Sequence, residues 1–377
     1  VKAGHEVVVL TSDTDLKRHK IIEEIEGITV VKYRVKYSQG MSFYRRIISF
    51  LTFLIKSSHY ILSDRNTEML IATSTPLTVG VLALLKKKLH GTQYIFEVRD
   101  VWPEAAIAIG AIRNPMLMRI LHALEREIYR GAKAIVPLSL GMKESIVGRF
   151  QDLTCPIEVI PNISDVKRFG CLSKVNSKSI LHELIGFKPE YSILYAGSFG
   201  KVNGLGYVVN LAVESLDMMP NLIFILVGDG SEKDEVIESA KNAGILNRNL
   251  FVLNPVAKEI LPSLYSEVTM GSSFVGPIKE LWRNSANKYF DTLAAGKPIL
   301  INYFGWQAKE IIQKDIGFVL PPNLDELSLT SFRDYLSDTE RISLHGSNAF
   351  KVAKSNYSLN EAVSKYLNLF HKIHDMS

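Results

Sequence analysis

Three stretches of this sequence put reactive side chains where an α/β sheet presents them to a ligand. In "NSANKYFDTLAAGKPILIN", residues 284–302, Lys288 falls in the expected first turn of a helix and Asp291 one turn later. A cation there opposes the helix dipole by roughly 0.3–1 kcal/mol, unless an anion lies over the helix N-terminus. Lys288 would then meet a diphosphate, and Asp291 would accept hydroxyls of a ribose. The plainer reading is a helix capped by Ser285 or Asn284, with Ala286, Tyr289, Phe290 and Leu293 buried. Asn284, Asn287, Lys288 and Asp291 would then form a solvated polar stripe.

The second stretch is "YAGSFGKVNGLGY", residues 195–207, between an apolar strand and a helix. Gly197, Gly200, Gly204 and Gly206 let backbone N–H groups approach an anion, and the following helix adds its positive end. Lys201 and Asn203 offer side-chain donors. The spacing is neither a Walker A loop nor a dinucleotide fingerprint, so turn chemistry remains the alternative. The third is "FEVRDVWPE", residues 96–104, a strand running into Arg99 and Asp100. Asp100 suits a base for an acceptor hydroxyl or a sugar contact, and Arg99 a phosphate contact. A loop-shaping arginine–carboxylate pair is the alternative. In "ATSTPLT", residues 72–78, Ser74, Thr75 and Thr78 line another strand end, a place where helix caps are common.

The elements that position these residues alternate strand and helix. Strands are expected at "EVVVLTS", "GITVVKYRV", 68–74, 93–98, 132–139 and "IEVIPN" (157–162). Helices are expected at 41–62, 78–89, around 114–130 and 140–149. After a linker containing "SKVNSKS" the pattern restarts with "YSILYAGS", "NLIFILVGDG", "LFVLNPV", "VTMGSS" and "KPILINYF", and a last helix begins at Leu359. Continuous apolar strands between helices predict parallel sheets covered on both faces: an α/β chain of two Rossmann-like, doubly wound domains with a cleft between them. Ligands of such sheets bind beyond the carboxyl ends of the strands.

The 377 residues suit two domains of this kind, and a net charge of +5 is compatible with anionic partners without choosing among them. Cys155 and Cys171 are the two cysteines, too few for a zinc framework or a disulfide scaffold, so a reducing cytoplasm is the default. The run "IISFLTFLI" (47–55) is far short of the ~20 apolar residues a spanning helix needs.

"FEVRDVWPEAAIAIGAI", "VPLSLGMKESI" with "IEVIPN", "ILYAGSFGKVNGL", "LVGDGSEKDEV" and "NKYFDTLAAGKPILI" occur in the order found in the GT-B retaining glycosyltransferases of family 4. Within that family they most resemble the branch of colanic acid and O-antigen transferases that includes L-fucosamine transferases. The resemblance implies an N-terminal acceptor-binding domain, residues 1–165, joined by a returning helix at 359–377. It implies a nucleotide-sugar-binding domain at 166–358. The donor would be a nucleotide diphosphate sugar, often a UDP-sugar, and the acceptor a saccharide or lipid-linked sugar. Transfer would retain anomeric configuration without a metal or other cofactor, in cell-surface polysaccharide synthesis.

By the same resemblance, Gly197, Ser198, Gly200, Lys201, Asn203 and Gly204 form the loop under the phosphates. Asn287, Lys288 and Asp291 complete the donor site, Val256 lies where backbone holds the base, and Arg99 and Asp100 stand in the catalytic region beside Lys288. Departures accompany it: Arg283 occupies the first glutamate position of the family's E-x7-E pattern and Asp291 the second. Phe199-Gly200 and Asn203-Gly204 replace the basic residues of its G-R-x4-K-G loop. The family also begins with a strand, a glycine loop and a helix that this sequence lacks, predicting a natural start roughly thirty residues or more upstream.

The segment 41–62 joins Arg45 and Arg46 to an apolar body, which suits peripheral contact with the inner face of the plasma membrane; a helix packed on the sheet is the alternative. An epimerase of nucleotide-sugars on the same fold and a non-catalytic sugar-nucleotide binder are the competing functions. Nucleic acid is disfavoured because basic residues do not cluster with aromatics.

Overall fold

The computed structural model describes residues 1–38, 41, 43–74, 76–170 and 179–375. Thr75, Cys171 and the greater part of "SKVNSKS" lie outside the described residues. The chain packs as two compact units, Val1–Val136 with Phe150–Ile157 and Pro137–Arg149 with Glu158–Ser377. This division differs from the expected boundary at 165. The helix Leu140–Arg149 and the last helix Leu359–Asp375 both fall in the second unit.

The first unit holds β1 (Val8–Asp13), β2 (Lys20–Ile25), β3 (Ile28–Arg34), β4 (Met69–Thr73), β5 (Gln93–Val98) and β6 (Ala134–Pro137). They form two three-stranded sheets, ordered β1-β3-β2 and β4-β5-β6. β1 runs parallel to β3, whereas β2 forms an antiparallel hairpin with it. The turn is Glu26-Gly27, with φ of 52° and 79°; two positive values define the tight turn that matches strand twist. "IEVIPN" is not a strand; Ile157 alone bridges to Ile135. β1 and β4 are terminal strands of their sheets, and Val8, Val9 and Ile71 on them are exposed.

The helix Phe43–Ser63 packs on the sheet, as the alternative reading of segment 41–62 expects, and leaves an apolar face exposed. One face packs on β3: Phe53 lies edge-on to Tyr33 at 6.4 Å, and Ser49 and Ser57 are buried. The other face leaves Tyr44, Ile48, Leu51 and Ile55 open to solvent. That spacing of three and four residues draws one continuous apolar stripe.

The second unit holds β7 (Tyr191–Ala196), β8 (Leu222–Val227), β9 (Leu250–Leu253), β10 (Met270–Ser273), β11 (Ile299–Ile301) and β12 (Gly317–Val319). Its single sheet is ordered β12-β11-β10-β7-β8-β9. Every recorded pair in it is parallel. Counted along the unit, this is the 3-2-1-4-5-6 order of a doubly wound nucleotide-binding sheet. All six residues of β8 are buried, as a strand covered on both faces requires. The reversal of strand order falls between β7 and β10, so the sheet itself specifies where a ligand belongs.

Candidate donor site

The glycine-rich loop leaves β7 at this switch point, and the VGDG turn after β8 holds it down. Gly197 N–H donates to Val227 O (2.9 Å), Phe199 N–H to Asp229 O (2.9 Å), and Glu232 N–H to Phe199 O (2.9 Å). Gly228 and Gly230 are needed for this close approach, since a methyl group on either would strike a loop carbonyl oxygen at 1.8 or 2.3 Å. Gly204 has φ +54°, and a methyl group there would meet Gly276 Cα, beyond β10, at 2.6 Å. Both requirements are glycine's alone. Asn203 does not present free donors as expected. Its Nδ2 donates to Ser198 O (2.9 Å) and Ser198 Oγ (3.3 Å), while its Oδ1 accepts from Lys288 Nζ at 3.0 Å.

Lys288 therefore reaches into the loop. It lies on the helix Asn287–Ala294 and is buried, with 8% of its surface exposed. This overturns the solvated-face reading for the lysine; of that stripe, Asn287 is exposed and Asp291 half-buried. The ammonium lies 4.8 Å from the centroid of the Tyr195 ring. A methyl group on Gly197 would meet Lys288 Cε at 2.8 Å. Burial pushes the Lys288 amine down to about 8, partly opposed by the charge of Asp291. The expected cap is also corrected. Ala286 is the N-cap and accepts no side-chain bond, while Asn284 Oδ1 and Ser285 Oγ are buried without a partner.

What fixes the helix is its other face and the segment before it. Tyr289, Phe290 and Leu293 are fully buried, each contributing about 1.5–3 kcal/mol. Tyr289 OH donates to Glu310 (2.7 Å), which also accepts from Tyr357 OH (2.7 Å), and Phe290 packs edge-on to Tyr357 at 4.9 Å. Ser139 Oγ donates to Arg283 O (2.5 Å), and Asn162 Nδ2 donates to Ser285 O (3.0 Å). Arg283 in turn bonds Ser145 Oγ at 2.9 Å.

Asp291 feels the charges of Arg168, Asp165 and Lys258 as well as that of Lys288. Burial pushes its carboxyl up to about 6, with Arg168, Lys258 and Lys288 opposing the rise and Asp165 adding to it. Val256, on the loop after β9, is half-buried against the cluster containing Phe251, Leu264 and Tyr265. Lys201 is exposed, and its charge is felt by Glu232, whose carboxyl burial raises.

Arg99 and Asp100 belong to the first unit, at the carboxyl end of β5. Arg99 forms an ion pair with Glu97 at 3.7 Å, and its N–H donates to Ser74 Oγ at 3.0 Å. Asp100 O accepts from Trp102 N–H at 2.9 Å. Ser74 is thus a tie between strands, and Thr78 is an N-cap without a side-chain bond. Sequence reasoning missed the roles of Tyr195, Gly228, Gly276, Ser139 and Asn162. Only Gly228 carried a visible signal, a glycine pair at the end of an apolar strand. Among the described residues no group of three or more His, Cys, Asp or Glu side chains is placed to hold a metal ion.

Residues 1–162 match the family model described as Glycosyl transferase 4-like domain. The fold as a whole is that of the GT-B glycosyltransferases. It superposes on sucrose-phosphate synthase of Thermosynechococcus elongatus with a TM-score of 0.76 at 14% identity, covering 100% of this chain and 91% of that one. The Anabaena HepE complex with UDP-glucose gives 0.65 at 15% identity, covering 93% and 86%. WaaG, a glycosyltransferase involved in lipopolysaccharide biosynthesis, gives 0.63 at 16% identity, covering 97% and 92%. In sequence, the chain is 22% identical over 275 residues to WcaI of Escherichia coli (strain K12), provisionally named a colanic acid biosynthesis glycosyl transferase. That match covers 69% of this chain and 66% of WcaI, just under two thirds of the relative. Together these findings show the GT-B fold.

Proposed function

We propose that the protein transfers a sugar from a nucleotide diphosphate sugar, a UDP-sugar in the first instance, to a saccharide or lipid-linked acceptor in cell-surface polysaccharide synthesis, with retention of configuration. The observation that carries this reading is the insertion of Lys288 into the glycine loop at the β7/β10 switch point. A diphosphate bound there receives the Lys288 ammonium and backbone N–H groups of the loop 198–204 other than those of Phe199 and Asn203, which are spent on Asp229 O and Gly200 O. That charge stabilises the departing diphosphate as its negative charge develops. Lys201 extends from the same loop, and Asn287 lies at the helix start.

Asp291 accepts ribose hydroxyls, and backbone at Val256 holds the base. Because the Asp291 carboxyl is raised to about 6, its contribution is present above pH 6 and is lost as pH falls through that value. Arg99 and Asp100 serve the acceptor in the first unit, and no metal or other cofactor takes part.

The test is a panel of nucleotide-sugars followed by thermal unfolding. A bound donor stabilises by RT ln(1 + [L]/Kd), about 2.7 kcal/mol at a hundredfold excess over Kd. A shift with one UDP-sugar, and glycoside release when an acceptor is added, is the expected result. No shift with any member overturns the reading. Interconversion of the sugar epimers without acceptor replaces it with an epimerase.

The exposed stripe Tyr44, Ile48, Leu51 and Ile55, adjoining Arg45, suits peripheral docking on the anionic inner leaflet of the plasma membrane. Among the described residues no helix is long and apolar enough to cross a membrane. Reversing the charge with Arg45→Glu and Arg46→Glu is expected to reduce sedimentation with phosphatidylserine vesicles about tenfold or more, at about 1 kcal/mol per basic residue. Equal binding by parent and variant removes the membrane role.

A further inference from the structure

Lys233 is a cation of the second unit whose contacts join two of the loops assigned above to the donor. It begins the helix Lys233–Asn242, in the segment "GSEKDEV", whose charges alternate in sign. The residue is half-buried. Its Nζ donates to Asn254 Oδ1 at 2.7 Å, in the loop after β9, and lies 3.5 Å from the O of Leu253, the last residue of that strand. The same Nζ lies 6.0 Å from the ring centroid of Phe199, in the glycine loop after β7.

Phe199 is fully buried and meets Tyr195 edge-on at 6.1 Å, and the other cation on this pair of rings is Lys288, 4.8 Å from Tyr195. Two ammonium groups thus flank one aromatic pair. Lys288 is on the phosphate side, and Lys233 is held toward the loop of Asn254 and Val256.

We propose that Lys233 is a positioning residue for the nucleoside: it fixes the loop 254–256 at a set distance from the glycine loop, so that base and diphosphate are recognised together. The proposal rests on the donor site described above. Asn254 is exposed and leaves β9 with Pro255 behind it. Among the described residues, Lys233 alone makes a side-chain hydrogen bond to Asn254. Removing the ammonium frees that loop without touching the groups that meet phosphate.

The experiment measures Kd for UDP and for inorganic pyrophosphate by calorimetry, on the whole chain, in the parent and in Lys233→Met, Asn254→Ala, the double variant and Lys233→Arg. Each single substitution removes the same charge-assisted hydrogen bond, so each is expected to weaken UDP about tenfold. Pyrophosphate affinity stays that of the parent. The double variant is expected to lose no more than either single one, because the two changes break one interaction. Lys233→Arg restores most of the UDP affinity.

Equal weakening of UDP and pyrophosphate overturns the proposal by making Lys233 a phosphate ligand or a general stability residue. Unchanged UDP affinity in both single variants overturns it as well, and so do additive losses. A parent that binds neither probe instead sinks the donor-site reading on which the proposal rests, so the two failures are told apart.

Discussion

Lys288→Met is expected to weaken UDP binding about a hundredfold while making the ligand-free protein more stable. The two effects have one origin. The parent keeps an ammonium group buried between Tyr195, Gly197 and Asn203 with a single side-chain hydrogen bond. Its amine is pushed from an ordinary 10.5 to about 8, which corresponds to a folding cost on the order of 3 kcal/mol at neutral pH. Methionine fills much of the same volume without that charge.

The sign of the pH dependence follows. Between about pH 8 and pH 10.5 the unfolded parent binds the lysine proton and the folded parent does not, so stability rises with pH across this window. The variant lacks that rise. Urea unfolding at pH 7 and pH 10, with calorimetric titration of UDP, checks both halves. A variant that binds UDP as the parent does would remove Lys288 from the site. A variant that is less stable without ligand would mean that the ammonium is held by more than the contacts described.

Gly228→Ala carries the second large effect. The added methyl group would lie 1.8 Å from Gly197 O, a backbone atom that cannot swing aside. The end of β8 is tied there to β7 by Gly197 N–H to Val227 O (2.9 Å) and to β9 by Gly228 N–H to Leu253 O (3.2 Å). Relief therefore requires β7, β8 and the loop to separate. The expected loss is about 3 kcal/mol of stability, with UDP binding lost as the Gly197 peptide turns. Gly148→Ala is the control: nothing lies within 4 Å of a methyl group there, and the residue is within the helix Leu140–Arg149. Alanine is expected to stabilise that helix by about 0.8 kcal/mol. Thermal melts of the two variants with and without UDP decide the matter; wild-type behaviour of Gly228→Ala would refute the packing described for the loop.

Much of the second unit was legible because its strands are buried on both faces and read as unbroken apolar runs. β7 to β11 lie within the stretches expected from those runs. β12 is as short as β11, but it starts on a glycine and is only half-buried, so it did not stand out. β2 was hidden because its hairpin turn is Glu26-Gly27 rather than an asparagine–glycine pair, and because "KIIEEI" carries three charges on a strand with little burial. The strand-end rule placed Lys288 and the glycine loop in one region. It did not reveal that Asn203 would be spent as a bridge between them, since an asparagine in a loop reads as an available donor. Helix periodicity put Lys288 on the polar stripe, but depth of burial depends on the neighbouring strands, which no helical wheel contains. Lys233 escaped for the same reason.

The junction at Glu310 decides how the cation is held over time. One carboxylate ties Tyr289 of the lysine helix, its own helix Trp306–Lys314, and Tyr357 at the end of the helix Thr339–Asn356. Amides of the helix Asn287–Ala294 should therefore exchange with solvent deuterium only through openings that release all three segments at once. The glycine loop is held at Gly197 and Phe199 by the turn after β8, while Lys201 and Gly206 further along are exposed. Adjustment to an incoming nucleotide then belongs to the loop, while the charge it closes upon stays where the fold has put it.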